Sequence, residues 1–268
     1  MHIPLYQIDA FTNQPFRGNP AAVCPLVAWL DDEMLRKVAG ENNLSETAFF
    51  VPRAGSGGKV YDLRWFTPRG EVRLCGHATL ASAFVLLSLQ PSGVNEVQFH
   101  TRFSGPLTVR RDNELLAMDL PALFAKPCAD VPHELISALG PHPHPSQVME
   151  VNETYFVAYE HESTIQNIRP DFVRLERLHP FVVSVTARGD EVDFVSRYFK
   201  PSYGMPEDPV TGSAHCALTP YWSERLGKGQ LRARQLSERG GELWCEMAGD
   251  RVILKGHAVL TMTGTLSL

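Results

Sequence analysis

The sequence is short of paired cysteines, of excess basic charge and of long apolar runs, and each shortage excludes a class. Five cysteines are scattered at positions 24, 75, 128, 216 and 245 of 268 residues. An odd, dispersed set argues against a disulfide framework and for a reducing compartment, so the expected location is cytoplasmic. No CxxC pair occurs. Cys75 lies two residues before His77 and Cys216 follows His215, but neither spacing is that of a structural zinc site, so no metal is expected. Lys and Arg total 25 against 30 Asp and Glu, a formal charge of −5. With neither a basic excess nor a basic stripe, a nucleic-acid partner is not expected. The longest uncharged apolar stretch, about Ala78 to Leu89, falls short of the roughly 20 residues that span a bilayer and predicts a buried helix instead. The first residues lack a basic region followed by an apolar run and a small-residue cleavage site, so neither a signal peptide nor a membrane partner is expected. The patterns GxGxxG after a strand, GxxxxGK[ST] and GxSxG are missing, so no nucleotide cofactor is expected, and His77-Ala78-Thr79 is not the HExxH of a zinc site.

What is present is ordinary globular composition, 44% hydrophobic and 21% charged, which excludes disordered and fibrous classes. At roughly 150 residues per domain, the length fits one large domain or two smaller ones. Residues 3–11 are rich in β-formers. Asp31, Asp32 and Glu33 open a helix whose positive dipole end favours acids, and Asn42-Asn43 ends it. Strands are predicted at 47–51, 60–66, 96–101, 106–111 and 114–120, and a strongly apolar helix from Gly76 to about Leu89. Gly55-Ser56-Gly57-Gly58 reads as a hairpin loop. Six prolines punctuate residues 121–145, with a short helix near 133–139, and mark the best domain boundary. His142 and His144 in that stretch read as solvated. The second half repeats the grammar. Strands are predicted at 155–159, 181–187 and 191–199, a short helix at 171–178 preceded by Pro170, a helix from Gly212 to about Leu226, and strands from Leu231 onward.

The two halves share a local pattern. Cys75-Gly76-His77-Ala78-Thr79-Leu80-Ala81 lies over Thr211-Gly212-Ser213-Ala214-His215-Cys216-Ala217, with Gly, Ala and Ala coinciding at a helix start each time. An ancient duplication explains this, and two similar domains are expected, each wrapping a mixed sheet around a buried helix. A helix N-terminus has unpaired N–H groups and a partly positive dipole end, and glycine lets a ligand approach its backbone. Gly76 and Gly212 are therefore either tight strand-to-helix turns or carboxylate-binding ends. His77, at the positive end, is expected as a neutral hydrogen-bonding imidazole. Glu46 is flanked by Leu44, Ala48, Phe49 and Phe50. Apolar walls would raise its carboxyl toward proton-shuttling range, although a place on the solvent face of an edge strand is the simpler reading of that segment alone. Asp208 either caps the turn before Gly212 or orients a histidine or a substrate amine. Cys75 reads as a small buried residue at a helix start.

Six stretches carry a resemblance: Asp9-Ala10-Phe11-Thr12, Gly18-Asn19-Pro20-Ala21-Ala22-Val23, Leu44-Ser45-Glu46-Thr47-Ala48-Phe49, Arg64-Trp65-Phe66-Thr67-Pro68, Cys75-Gly76-His77-Ala78-Thr79 and Asp208-Pro209-Val210-Thr211-Gly212-Ser213-Ala214. In this order they resemble the PhzF-like family of phenazine-biosynthesis isomerases. The resemblance implies an α+β, diaminopimelate-epimerase-like fold of two pseudo-symmetric domains, each a barrel-like mixed sheet around a central helix, with the active site between them. The expected domains are 1–124 and 125–268, with the closing strands free to return to the first. It also implies a homodimer and no cofactor. In the phenazine enzyme a glutamate moves a proton along a cyclic diene acid, giving an enol that becomes a ketone. By resemblance Glu46 is that glutamate, and His77, Asp208 and Ser213 surround the substrate and assist proton transfer. Asn19, Gly76, Gly212 and Ser213 are the expected substrate-binding residues.

The expected function is thus cofactor-independent isomerisation of a small carboxylic acid. One alternative is a two-base epimerase or racemase of the same fold. It would use two opposed cysteines, but Thr211 stands where the second would be, and a hydroxyl is far too weak an acid. The other alternative is a non-catalytic protein that binds a small carboxylate.

Overall fold

The computed structural model describes residues 1–89, 93–141 and 143–268; His142, read above as solvated, lies outside the described residues. The chain forms two compact units, Met1–Leu120 with Ile253–Leu268, and Pro121–Val252.

In chain order the first unit holds β1 (His2–Ala10), β2 (Asn19–Pro25), α1 (Asp32–Asn42), β3 (Thr47–Pro52), β4 (Val60–Thr67), β5 (Gly70–Val72), α2 (Gly76–Phe84), β6 (Glu96–Thr101), β7 (Gly105–Asp112) and β8 (Leu115–Pro121). The second continues with β9 (Lys126–Pro127), α3 (His133–Leu139), β10 (Gln147–Val151), β11 (Thr154–Ala158), α4 (Glu162–Asn167), α5 (Phe172–Glu176), β12 (Val182–Arg188), β13 (Phe194–Lys200), β14 (Met205–Glu207), α6 (Gly212–Leu226), β15 (Gln230–Gln235) and β16 (Gly241–Ala248). β17 (Arg251–Gly256) passes from the second unit into the first, and β18 (Ala258–Ser267) pairs antiparallel with β1.

The duplication is written in the strand pairings. In the first unit β1–β2 is antiparallel, β2–β3 parallel, β3–β4 and β4–β5 antiparallel, β4–β6 parallel and β6–β7 antiparallel. In the second, β10–β11, β11–β12, β12–β13, β13–β14, β13–β15 and β15–β16 repeat that series without exception. Each sheet is therefore mixed, and each closes its series around one helix.

That helix is α2 in the first unit. Gly76 through Ala83 are all buried, so the helix is buried all round, as the central element of a core must be; Thr79 and Ser82 satisfy their hydroxyls on the Cys75 and Ala78 carbonyls. It continues as a π turn over Val85–Leu89, which completes the apolar run read from the sequence. α1 packs outside the sheet, where Leu35, Val38 and Ala39 meet Ile3, Cys24, Phe49 and Phe66. Asp31 caps α1 by accepting from the Met34 N–H at 2.8 Å, and Asn43 ends it in the left-handed region at φ 50°. In the second unit α6 is the central helix, and α3, α4 and α5 cover the outer face with Leu135, Ile165 and Leu175. α5 is shorter than the 171–178 expected: it starts one residue later because Asp171 is its cap, accepting from the Arg174 N–H at 3.1 Å, and it ends at Glu176 with Arg177 as the C-cap. α4 has no counterpart in the sequence reading. Six residues are too few to show a helical period. Among the described residues, no helix is long and apolar enough to cross a membrane.

Candidate active site

In the first unit, three stretches far apart in sequence build one cluster. The link between β1 and β2 comes first. It turns tightly, with Phe11 at φ 62° and Phe16 at φ 69°. Asp9, itself buried, pins it by accepting from the Phe16 N–H at 2.7 Å. Gly18 follows at φ +64°, and a Cβ there would lie 2.2 Å from the Ala10 carbonyl oxygen. Only glycine fits both the dihedral and the contact. The turn delivers Asn19, which is fully buried, at the start of β2.

Glu46 ends the connection from α1 to β3. β3 lies between β2 and β4 in the sheet, so the residue does not face solvent from an edge strand. Its relative exposure is 7%. Tertiary pairing overrides the local pattern here: β3 is paired on both edges and its first four residues are all buried, so the residue that leads into it is buried too. The Glu46 carboxylate oxygen Oε2 is 3.3 Å from His77 Nε2. The Ser45 hydroxyl is also 3.3 Å from that nitrogen. Ser45 was not singled out from the sequence, and its place beside Glu46 in one of the six stretches was the signal available. Cys75 Sγ lies 3.5 Å from His77 Nδ1. The structure thus brings Glu46 and His77 together, with Ser45 and Cys75 beside them. Gly76 is buried between Cys75 and His77.

Cys75 is the N-cap of α2 and makes no side-chain capping bond. Thr211 holds the equivalent place at α6 and likewise makes none. Asp208 is therefore not the N-cap of α6, as one reading of the sequence had it. Its carboxylate Oδ2 instead accepts from the Thr211 hydroxyl at 2.5 Å, while Oδ1 lies 3.6 Å from the Lys200 ammonium. Gln235 on β15 locks the same turn. Its Oε1 accepts from the Thr211 N–H at 2.8 Å, and its Nε2 donates to the Asp208 carbonyl at 2.7 Å. Nothing local marks Gln235 in the sequence, since the strand that carries it follows α6. Gly212 is buried and Ser213 half-buried at the helix start.

The sequence repeat has a physical counterpart at the fifth aligned position. Thr79 donates its hydroxyl to the Cys75 carbonyl at 2.6 Å. His215 does the same for the Thr211 carbonyl through Nδ1–H at 2.8 Å. A carbonyl only accepts, so Nδ1 carries the proton. Full burial holds the His215 imidazole down at about 4, and the bond to Thr211 opposes this only in part.

Comparison with known proteins supports what the six stretches suggested. Residues 8–264 match the profile of the phenazine biosynthesis-like proteins, PhzC-PhzF. The chain belongs to that family. An uncharacterized isomerase of Pseudomonas aeruginosa is 52% identical over the full length of both chains. A PhzF-family phenazine biosynthesis protein of Enterococcus faecalis has a crystal structure 43% identical, with both chains fully covered and a TM-score of 0.93. A probable proline racemase of Agrobacterium radiobacter, 11% identical, superposes over 99% of this chain and 93% of its own with a TM-score of 0.62, a likeness of fold alone. The family member is accordingly an isomerase of mixed α+β, diaminopimelate-epimerase-like fold.

Proposed function

We propose that this PhzF-family protein isomerises a small carboxylic acid without a cofactor, by moving a proton between two carbons through Glu46. The observation that carries this reading is the buried Glu46–His77 contact of 3.3 Å at the start of α2. A carboxylate held against an imidazole in a nearly closed site can take a proton from carbon and return it elsewhere on the same face. His77 and Ser45 orient the carboxylate and pass charge to one side of it. The N–H groups in the first turn of α2, at the positive end of the helix dipole, attract the substrate carboxylate, which fixes the molecule beside Glu46. Orientation of this kind lowers a barrier beyond what acid–base chemistry alone supplies.

In the second unit, the start of α6 is a carboxylate-binding end of the same kind, with Gly212 giving close approach and the Ser213 hydroxyl a hydrogen bond. Asp208, paired with Lys200 and Thr211, sets the charge of that turn. Asn19 is a substrate-binding residue whose backbone is held by the Asp9 turn. The assembly this family resemblance favours is a homodimer, and the expected partner is the small carboxylate itself. The substrate need not be a phenazine precursor.

Proton NMR in D2O tests the reading. A panel of small cyclic and amino carboxylic acids is incubated with the protein and with Glu46→Gln. A new isomer, or deuterium at one carbon, is expected with the wild type, and a loss of about 10²–10⁴-fold in rate with the variant. Equal turnover by Glu46→Gln overturns the mechanism. Equal binding by both, with no chemical change across the panel, supports a carboxylate-binding protein instead.

A further inference from the structure

The same corner of the first unit gathers three different metal-ligand types. Glu46, Cys75 and His77 each offer one donor atom, and the three atoms lie within 4.8 Å of one another. His77 Nε2 is the shared vertex, 3.3 Å from Glu46 Oε2 and 3.9 Å from Cys75 Sγ. A tetrahedral zinc ion, with bonds of about 2.3 Å to sulfur and about 2.05 Å to nitrogen or oxygen, sets edges of about 3.5 Å for S–N and about 3.3 Å for N–O. The nitrogen–oxygen edge is already at that length. Cys75 Sγ lies nearer Nδ1, at 3.5 Å, than Nε2, so a change of the Cys75 rotamer must carry it round to the Nε2 side of the ring to close the other.

We propose that Glu46, Cys75 and His77 form a zinc site with an open fourth position, and that the bound ion inhibits the isomerase. The sequence spacing of Cys75 and His77 alone gave no zinc pattern. The third ligand comes from the far side of β3 and β4 in the chain, so only folding completes the set.

Charge and ligand softness select the ion. A thiolate and a carboxylate together balance a divalent cation, which leaves a neutral complex. That matters because Cys75, Glu46 and His77 are only 5%, 7% and 4% exposed, and an unbalanced charge there is costly. Thiolate with imidazole favours zinc over magnesium or calcium, which take oxygen ligands. On binding, the Cys75 thiol releases its proton to solvent, and neutral His77 coordinates through Nε2 with its proton on Nδ1. The fourth position takes a water, which keeps the complex neutral. Glu46 and His77 are then coordinated and unable to handle a substrate proton. The inhibition rests on the proton-transfer reading above; the binding does not.

Cobalt is the spectroscopic probe. The full-length protein, reduced, stripped with a chelator and kept free of oxygen, is titrated with Co²⁺ and then with Zn²⁺. One equivalent of Co²⁺ is expected to give tetrahedral visible bands and a near-ultraviolet sulfur-to-cobalt band, both erased by Zn²⁺. Cys75→Ser should abolish the sulfur band and weaken Zn²⁺ binding at least about tenfold. Glu46→Gln should weaken binding similarly while keeping the sulfur band. Cys128→Ser, at the more exposed thiol, should change neither. Circular dichroism confirms that each variant is folded, and the two ligand variants test the site independently. The proposal is overturned by a missing sulfur band in the wild type, by a band that survives Cys75→Ser, or by Zn²⁺ affinities that neither ligand variant alters. These readouts need no substrate, so a failed metal site leaves the isomerase reading standing, and a failed isomerase reading leaves the metal site standing.

Discussion

His215 makes stability depend on pH in a way that one substitution isolates. Its Nδ1–H is committed to the Thr211 carbonyl, and Nε2 has no hydrogen-bond partner among the described residues. The ring lies beside Phe194, 5.8 Å between centroids, and is fully buried. A proton on Nε2 would place a charge there with nothing to pair it. Burial therefore lowers the imidazole from 6.5 to about 4 in the folded protein. In the unfolded chain the ring titrates near 6.5. Above that value both states are neutral and the stabilisation is complete. As pH falls below it, the unfolded chain binds the proton and the folded protein does not, so stability is lost until about pH 4. With these two values, linkage gives a loss of about 2 kcal/mol between pH 7 and pH 5 from this group alone. The assay is urea unfolding at both pH values for the wild type and for His215→Asn, whose amide can still donate to the Thr211 carbonyl. The variant should lose less stability on acidification, by about that amount. An equal loss in both proteins refutes the argument. It would mean that His215 is charged in the fold or that water reaches Nε2.

Other expectations are simpler to check. Gly18→Ala must place a Cβ on the Ala10 carbonyl in a left-handed conformation, and should cost at least about 2 kcal/mol in urea melts. Gln235→Leu strips partners from the Thr211 N–H and the Asp208 carbonyl, and should cost about 3 kcal/mol, with the fold retained at low temperature. In the native protein a thiol reagent should modify Cys128 first, because Cys24, Cys216 and Cys245 are buried and burial pushes each thiol up to about 12. All five should react in denaturant.

Much of the fold was legible because its signals are local. The acids at 31–33 and the paired asparagines marked the two ends of α1, since capping needs only neighbouring residues. The run after Gly76 announced a buried helix because no exposed helix can be apolar on every face. β2 was not read as a strand. Its residues could be recognised as a familiar stretch, yet nothing before folding shows that they pair with β1 on one side and β3 on the other. The candidate site divides in the same way. Glu46 and His77 could be named, but the segment around Glu46 read more simply as solvent-facing.

The sequence by itself determined the two-fold repetition, the helix starts at Gly76 and Gly212, and the family. Each of these is a pattern of residue types along the chain. Only the tertiary structure decided that Glu46 is buried against His77, that Cys75 and Ser45 join them, and that Asp208 bonds Thr211 instead of capping α6 itself. Those outcomes depend on which strands become neighbours. Pairing between distant strands sets both the distance between side chains and their access to water, and neither quantity exists until the sheet has closed around its helix.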